Sequence, residues 1–402
     1  MPKEHIYLDN HATTPMDERV LKAMLPYFVS QFGNASSGSH KFGWDAERAV
    51  KRARTQVADL LGARSPREIV FTSGATESNN LALSGVLEAR AQGHDLRGLH
   101  IITSAIEHPC VLQTCEALVA RGASVTKVRV GSDGLVPVSA VEAAIRPETV
   151  LISIMAVNNE IGTIQPVSEI GALARSRGVL FHCDAAQAAG RISIDVERDQ
   201  IDLLSLSAHK LYGPKGTGAL YVRRGRRKVE LTAQQHGGGQ EMALRSGTLN
   251  VPGIVGLGAA AELAQSSFEE EEGRLLELRN LFLVKTARRV SDCEVNGCLE
   301  RRVAGNLSLR FSGVSGEALI AAVPSLAFSV GSACSTIQAK PSHVLSALRL
   351  NRKQIRETIR LGFGRFTTEA QVCEAAEQIS AAVTRLRVGF GRMGASLQAS
   401  PH

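Results

Sequence analysis

The chain has 402 residues, 44% hydrophobic and 21% charged. That is enough for two or three domains at roughly 150 residues each, and it excludes a disordered, collagen-like or disulfide-stapled whole. The formal charge of +7 favours acidic partners without requiring nucleic acid. Seven cysteines, an odd number in a long chain, and the polar start Met1–His5 point to reduced thiols and a cytoplasmic location. No apolar run of about 18 residues predicts a membrane span.

In chain order, the first clear element is a helix from Trp44 to Leu61. Ala46, Ala49, Val50, Ala53, Val57, Leu60 and Leu61 recur near every 3.6 residues, and Gly62 stops the run. From Ile69 to Val222, β-rich runs alternate with helical stretches. The expected strands are Ile69–Thr72, His100–Thr103, Val125–Val130, Val150–Met155, Val179–Cys183, Leu203–Ser207 and Gly218–Val222. Several are apolar on both faces, the pattern of a mostly parallel α/β sheet covered by helices. Beyond Pro252 one long helical stretch is expected towards Val290, with Glu269–Glu272 as a solvated face. Asn306–Phe311, Glu317–Ala322 and Ser342–Leu348 then read as strand, helix and helix of a smaller α+β domain. The expected division is 15–260 for the large domain and 1–14 with 261–388 for the small one. The Gly/Ser-rich 389–402 is expected to be a flexible tail.

In an open α/β sheet ligands bind beyond the carboxyl ends of the strands, and three of those ends are chemically loaded. After Ile69–Thr72 comes Ser73-Gly74-Ala75-Thr76-Glu77, small residues opening a helix, which read either as a phosphate site or as a capped helix that binds nothing. After Val179–Cys183 comes Asp184, a carboxylate at the end of an apolar strand that needs a cationic partner or several donors, or else caps a helix. After Leu203–Leu206 comes Ser207-Ala208-His209-Lys210, whose lysine is either a surface charge or an amine nucleophile for an aldehyde cofactor. Taken together, an anion site, a carboxylate for a pyridinium nitrogen and an amine describe pyridoxal phosphate. His108, in Glu107-His108-Pro109, reads as a cap or as an aromatic lid over a cofactor ring. Cys334, in Gly331-Ser332-Ala333-Cys334-Ser335-Thr336, lies among small polar residues, a setting unlike that of a buried structural thiol.

Other patterns are decoys. Gly256-Leu257-Gly258 fits a loose dinucleotide fingerprint but falls within a helical run. Cys110/Cys115 and Cys293/Cys298 are distant pairs, a poor zinc site, and no metal is expected. The basic run Arg223–Lys228 reads as a solvated loop.

With these residues in view, the chain resembles the group I cysteine desulfurases of the IscS/NifS type, fold-type I pyridoxal phosphate enzymes of the class-V aminotransferase kind. The likeness runs from Tyr7 to about Thr368. It is carried by Tyr7–Pro15, Phe71–Ser78, Val157–Gly162, Ser207–Lys210, Arg245–Thr248, Gly331–Cys334 and Arg360–Arg365.

The resemblance implies a role for each matching residue. Lys210 would join the cofactor aldehyde and serve as base, Asp184 would hold the pyridinium proton, Gln187 would bond the ring hydroxyl, and His108 would stack on the ring. Ala75, Thr76, Ser207 and His209 would bind the phosphate, with Thr248 arriving from the second subunit of a homodimer. Asn159 and Arg360 would hold cofactor and substrate carboxylate, and Cys334 would take sulfur from L-cysteine as a persulfide, releasing alanine. The implied acceptor is a protein, an iron–sulfur scaffold foremost, with no direct nucleic acid binding. Two departures stand out: Ala35 occupies a position where many relatives have proline, and the tail beyond Arg385 is unlike the scaffold-engaging segment of IscS members. An aminotransferase or lyase acting on another amino acid, selenocysteine included, and a subunit that has lost catalysis are the competing readings. The intact Lys210, Asp184, His108 and Cys334 argue against the second.

Overall fold

The computed structural model describes residues 5–330 and 341–398. Its strands are β1 (Ile6–Tyr7), β2 (Ile69–Thr72), β3 (His100–Ser104), β4 (Ser124–Val128), β5 (Thr149–Ser153), β6 (Leu180–Asp184), β7 (Leu203–Ser207), β8 (Gly218–Val222), β9 (Cys293–Val295), β10 (Asn306–Phe311), β11 (Leu326–Ala327), β12 (Ser329–Val330) and β13 (Thr358–Gly362). The helices leading up to the second half are α1 (Glu18–Met24), α2 (Pro26–Val29), α3 (Lys41–Leu60), α4 (Ala75–Ala91), α5 (Pro109–Ala120), α6 (Val138–Ala144), α7 (Val167–Ser176), α8 (Val251–Ser266) and α9 (Phe268–Ala287).

Seven strands form the large sheet in the order β2-β8-β7-β6-β5-β3-β4. Only β8 runs against the rest. Alternate side chains feed two cores. Ile69, Phe71, Ile102, Phe181 and Leu204 face the layer containing α3, α7 and α8; Val70, Ile101, Leu151, Leu203 and Leu220 face α4 and α5. Cover on both faces explains why these strands read as continuous apolar runs. It also sends every parallel strand end to one edge, where the loops meet.

A second, antiparallel sheet, β12-β13-β10-β9, and the parallel pair β1-β11 build the α+β part. Its core joins Ile6 and Leu8 to Phe282, Leu307, Phe311, Ile359 and Ile379. Val344, Leu345, Leu348 and Ile355 pack instead into the core of the large sheet. The N-terminal segment stitches the two parts together: Asn10 Nδ2 donates to Gly362 O at 2.8 Å, and Thr14 N–H donates to His209 O at 3.0 Å.

Three features differ from the sequence reading. The stretch 252–290 breaks at Ser267, whose φ of −111° and ψ of 7° leave the helical range; the Ser266 and Ser267 hydroxyls both donate to Leu263 O there. The final helix runs Glu369–Gln398 and so continues through 389–398. The basic run is not wholly a solvated face. Arg223 is buried, donates to Ile201 O and Val196 O and pairs with Asp202 at 3.3 Å, as Arg227 does. Gly258 sits where α8 crosses α3, and a Cβ there would lie 2.6 Å from Ala53 Cα. Close helix packing, not a dinucleotide, accounts for that glycine.

Candidate active site

The strand ends converge on a cavity of about 580 Å³. Ala75, Thr76, His108, Asn159, Asp184, Gln187, Ser207, His209, Lys210 and Arg360 all line it, so the structure assembles these ten expected residues. Thr248 is exposed and outside the cavity within one chain. Cys334 lies outside the described residues.

Lys210 ends the turn Ala208–Lys210 after β7. Its Nζ donates to His11 O and, at 2.7 Å, to Ala12 O. Burial, followed by the Arg191 and Arg360 guanidiniums, pushes the amine down to about 7. Near neutrality a large share is therefore unprotonated and nucleophilic, unlike an ordinary lysine.

Asp184 closes β6 and is 4% exposed. Its Oδ2 accepts from Asn79 Nδ2 at 2.7 Å and its Oδ1 from the Ala186 N–H at 2.9 Å. Both donors are neutral, which leaves a buried carboxylate suited to a cation brought in by a ligand. Gln187 Nε2 donates to His11 O at 2.8 Å, and its Oε1 accepts from Arg191 Nη1 at 3.1 Å. Burial and Arg191 hold His11 well below its ordinary pKa, so this imidazole stays neutral beneath the cavity.

His108 caps α5: its Nδ1 accepts from the Cys110 N–H at 3.2 Å and lies 3.0 Å from Cys110 Sγ. The Cys110 thiol is pushed up to about 12 by burial and by Asp184, so it remains protonated and donates to Nδ1. That places the ring proton on Nε2. The packed surroundings lower the His108 pKa, outweighing the pull of Asp184. A neutral imidazole results at pH 7.

At the far end of the cavity α4 begins at Gly74 with no side-chain cap. The first N–H groups of a 17-residue helix are open to an anion there, reinforced by the helix dipole. Ser207 and His209 flank them. His209 Nδ1 lies 3.1 Å from Thr13 Oγ1, and burial followed by Lys210 and Lys215 depresses its pKa to about 4, so it would serve as a neutral hydrogen-bond donor. Arg360, on β13, donates to Asn159 O at 3.0 Å and to Asp9 Oδ1 at 2.8 Å, and its buried Nε has no partner. An incoming carboxylate would compete with Asp9 for this guanidinium. The described ends of the Cys334 segment are tied beside Arg360, Asn159 and His108 through Asp9, Glu160 and Glu107. Ser329 Oγ donates to Asp9 at 2.8 Å, Ser342 Oγ to Glu160 at 2.6 Å, and His343 Nε2 to Glu107 O at 2.9 Å.

Several contributors escape sequence reasoning. The His11 and Ala12 carbonyls and Arg191 come from distant chain positions with no local signal. Asn79 carried one, since it lies a turn beyond Ala75 on the same helix face.

Residues 6–374 match the family described as Aminotransferase class-V. The chain belongs to this family. It is 50% identical to cysteine desulfurase IscS of Anaeromyxobacter sp. (strain K) over 382 residues, 95% of this chain and 93% of that protein. Cysteine desulfurase of Mus musculus is 48% identical, covering 95% and 82%. Among solved structures, a NifS-like protein superposes with a TM-score of 0.86 at 35% identity, over 94% of this chain and 99% of the other. SspA in complex with cysteine gives 0.79 at 40% identity, over 90% and 100%. Membership makes the architecture fold-type I and the cofactor pyridoxal 5′-phosphate. The cavity fits that group. An uncapped helix end suits its phosphate, a buried carboxylate held by neutral donors suits its ring nitrogen, and a lysine near neutral pH suits its aldehyde.

Proposed function

We propose that this protein is a cysteine desulfurase, converting L-cysteine to L-alanine and leaving the sulfur as a persulfide on Cys334. The observation that carries the reading is the amine of Lys210, depressed to about 7, sharing one cavity with Asp184, His108 and the α4 N-terminus. The identity to cysteine desulfurases supports it. No helix among the described residues is long and apolar enough to cross a membrane.

The division of labour follows from the geometry. The Ala75 and Thr76 N–H groups, with Ser207 and His209, would hold the phosphate; Asp184, Gln187 and His108 would hold the ring. When bound, the protonated pyridine ring withdraws electrons and makes the substrate Cα–H acidic. Lys210 Nζ then takes the Cα proton and can return it. Arg360 and Asn159 orient the substrate carboxylate. His108, neutral near pH 7, presents its Nε2 proton to the reacting atoms and can give it up and take it back there. The Cys334 thiolate attacks the substrate sulfur, an S–S bond forms and the Cβ–S bond breaks. Its electron pair stays with carbon, which takes up a proton to become the methyl group of alanine.

A homodimer belongs to the same reading. Thr248 is outside the cavity of its own chain, and Phe28, Val29 and Phe32 are 59%, 75% and 66% exposed, an apolar patch of the kind that marks protein interfaces. The motif leading to Thr248 sits beside α4, since Arg245 Nε bonds Glu77 at 2.9 Å. A cytoplasmic enzyme with two domains, divided as the sequence suggests, that hands sulfur to an iron–sulfur scaffold completes the proposal. The test is a single turnover with sulfur-labelled cysteine followed by peptide mapping. One label on the Cys334 peptide per alanine formed supports the proposal. A Cys334→Ser enzyme that still converts cysteine at the wild-type rate, with no protein-bound label, defeats it.

A further inference from the structure

We infer that Asn79 is a positioning residue for Asp184, fixing the carboxylate beneath the cofactor ring from the same helix that receives the phosphate. The inference rests on the functional reading above. Asn79 is fully buried on α4, one turn beyond Ala75. Its Nδ2 donates to Asp184 Oδ2 at 2.7 Å and reaches Cys110 Sγ at 3.1 Å. Its Oδ1 is buried with no hydrogen-bond partner. Turning the amide over would set that oxygen against the carboxylate, so the orientation is dictated by Asp184, and a buried carbonyl goes unsatisfied to keep it.

The consequence is geometric and electrostatic. The backbone N–H of Ala186 secures one Asp184 oxygen, and Asn79 secures the other. With both oxygens held, the carboxylate cannot rotate. The same amide continues through Cys110 to His108 Nδ1, 3.0 Å from the sulfur. Phosphate helix, ring-nitrogen carboxylate and ring-stacking imidazole therefore share one hydrogen-bonded unit. Removing the amide frees Asp184 to rotate and weakens its hold on the ring-nitrogen proton. With pyridoxal phosphate bound, that weaker hold would leave the Lys210 nitrogen more basic.

The test compares wild-type, Asn79→Leu, Asn79→Ala and Asn80→Ala holoproteins. Asn80 is the exposed neighbour on α4, bonding Thr114 and Thr76 O. Folding is checked by circular dichroism, cofactor affinity by equilibrium dialysis, and the visible absorbance band is titrated with pH. Both Asn79 variants are expected to bind pyridoxal phosphate roughly tenfold more weakly and to show a band midpoint raised by about one pH unit, with Asn80→Ala matching wild type. Folded Asn79 variants with wild-type affinity and midpoint overturn the inference while leaving the functional reading intact. If Asn79→Leu does not fold, Asn79→Ala decides alone. Wild-type protein that binds no pyridoxal phosphate defeats the underlying reading instead.

Discussion

Lys210 shows at the level of one residue how burial changes chemistry. Its amine is depressed to about 7 from an ordinary 10.5, so it is protonated and unreactive below pH 7 and free above it. Covalent loading of the apoprotein with pyridoxal phosphate should therefore accelerate through pH 7 and level off. A rate that keeps climbing towards pH 10 would show an ordinary lysine. The stability consequence has a definite sign. Between pH 7 and 10.5 the unfolded chain binds a proton that the folded apoprotein has released, so this group makes the fold more stable as pH rises across that window. Lys210, Asp184, Ala75 and Thr76 were legible because each follows an apolar strand in the sequence, and strand ends in such sheets face ligands. The carbonyls of His11 and Ala12 that hold the lysine were not. They lie 199 and 198 positions away, and a backbone acceptor leaves no mark in side-chain pattern.

The elements were read well where burial is two-sided and badly where a single hydrogen bond decides. The strands Ile69–Thr72, Leu203–Ser207 and Gly218–Val222 fall where their apolar runs put them. The break at Ser267 was hidden, because one residue leaves the helical range inside a helical composition. A second hidden device lies just before the Arg245–Thr248 motif. Glu241, Met242 and Ala243 have φ of 48°, 58° and 62°, a left-handed turn that non-glycine residues adopt at a cost. The turn is held by Glu241, which takes two hydrogen bonds from Arg54 and one from the Phe71 N–H. Replacing Glu241 by Ala leaves Arg54 without its partner and removes that tether. The expected loss is about 3 kcal/mol, read as a lowered urea midpoint; an unchanged midpoint would show that the turn holds itself.

For the whole molecule, the two cores and the N-terminal crossing bring strand ends, α4 and β13 to one cavity, and the proposed homodimer would add Thr248 from a second copy across the apolar residues of α2 and the following loop. A Phe28→Glu/Phe32→Glu protein is expected to sediment as monomer and to bind pyridoxal phosphate at least several-fold more weakly, because it would lose the Thr248 hydroxyl; an unaltered dimer would place the interface elsewhere. Composition gave no sign of this surface, since Phe28, Val29 and Phe32 read in sequence as an ordinary part-buried helical segment and only their exposure in the fold marks them. The most direct measurement of the central claim is borohydride reduction of the holoprotein followed by peptide mapping. A single phosphopyridoxyl modification is expected, on Lys210, and absent from Lys210→Ala. Reduction that leaves Lys210 unmodified, or that marks another lysine, would contradict it.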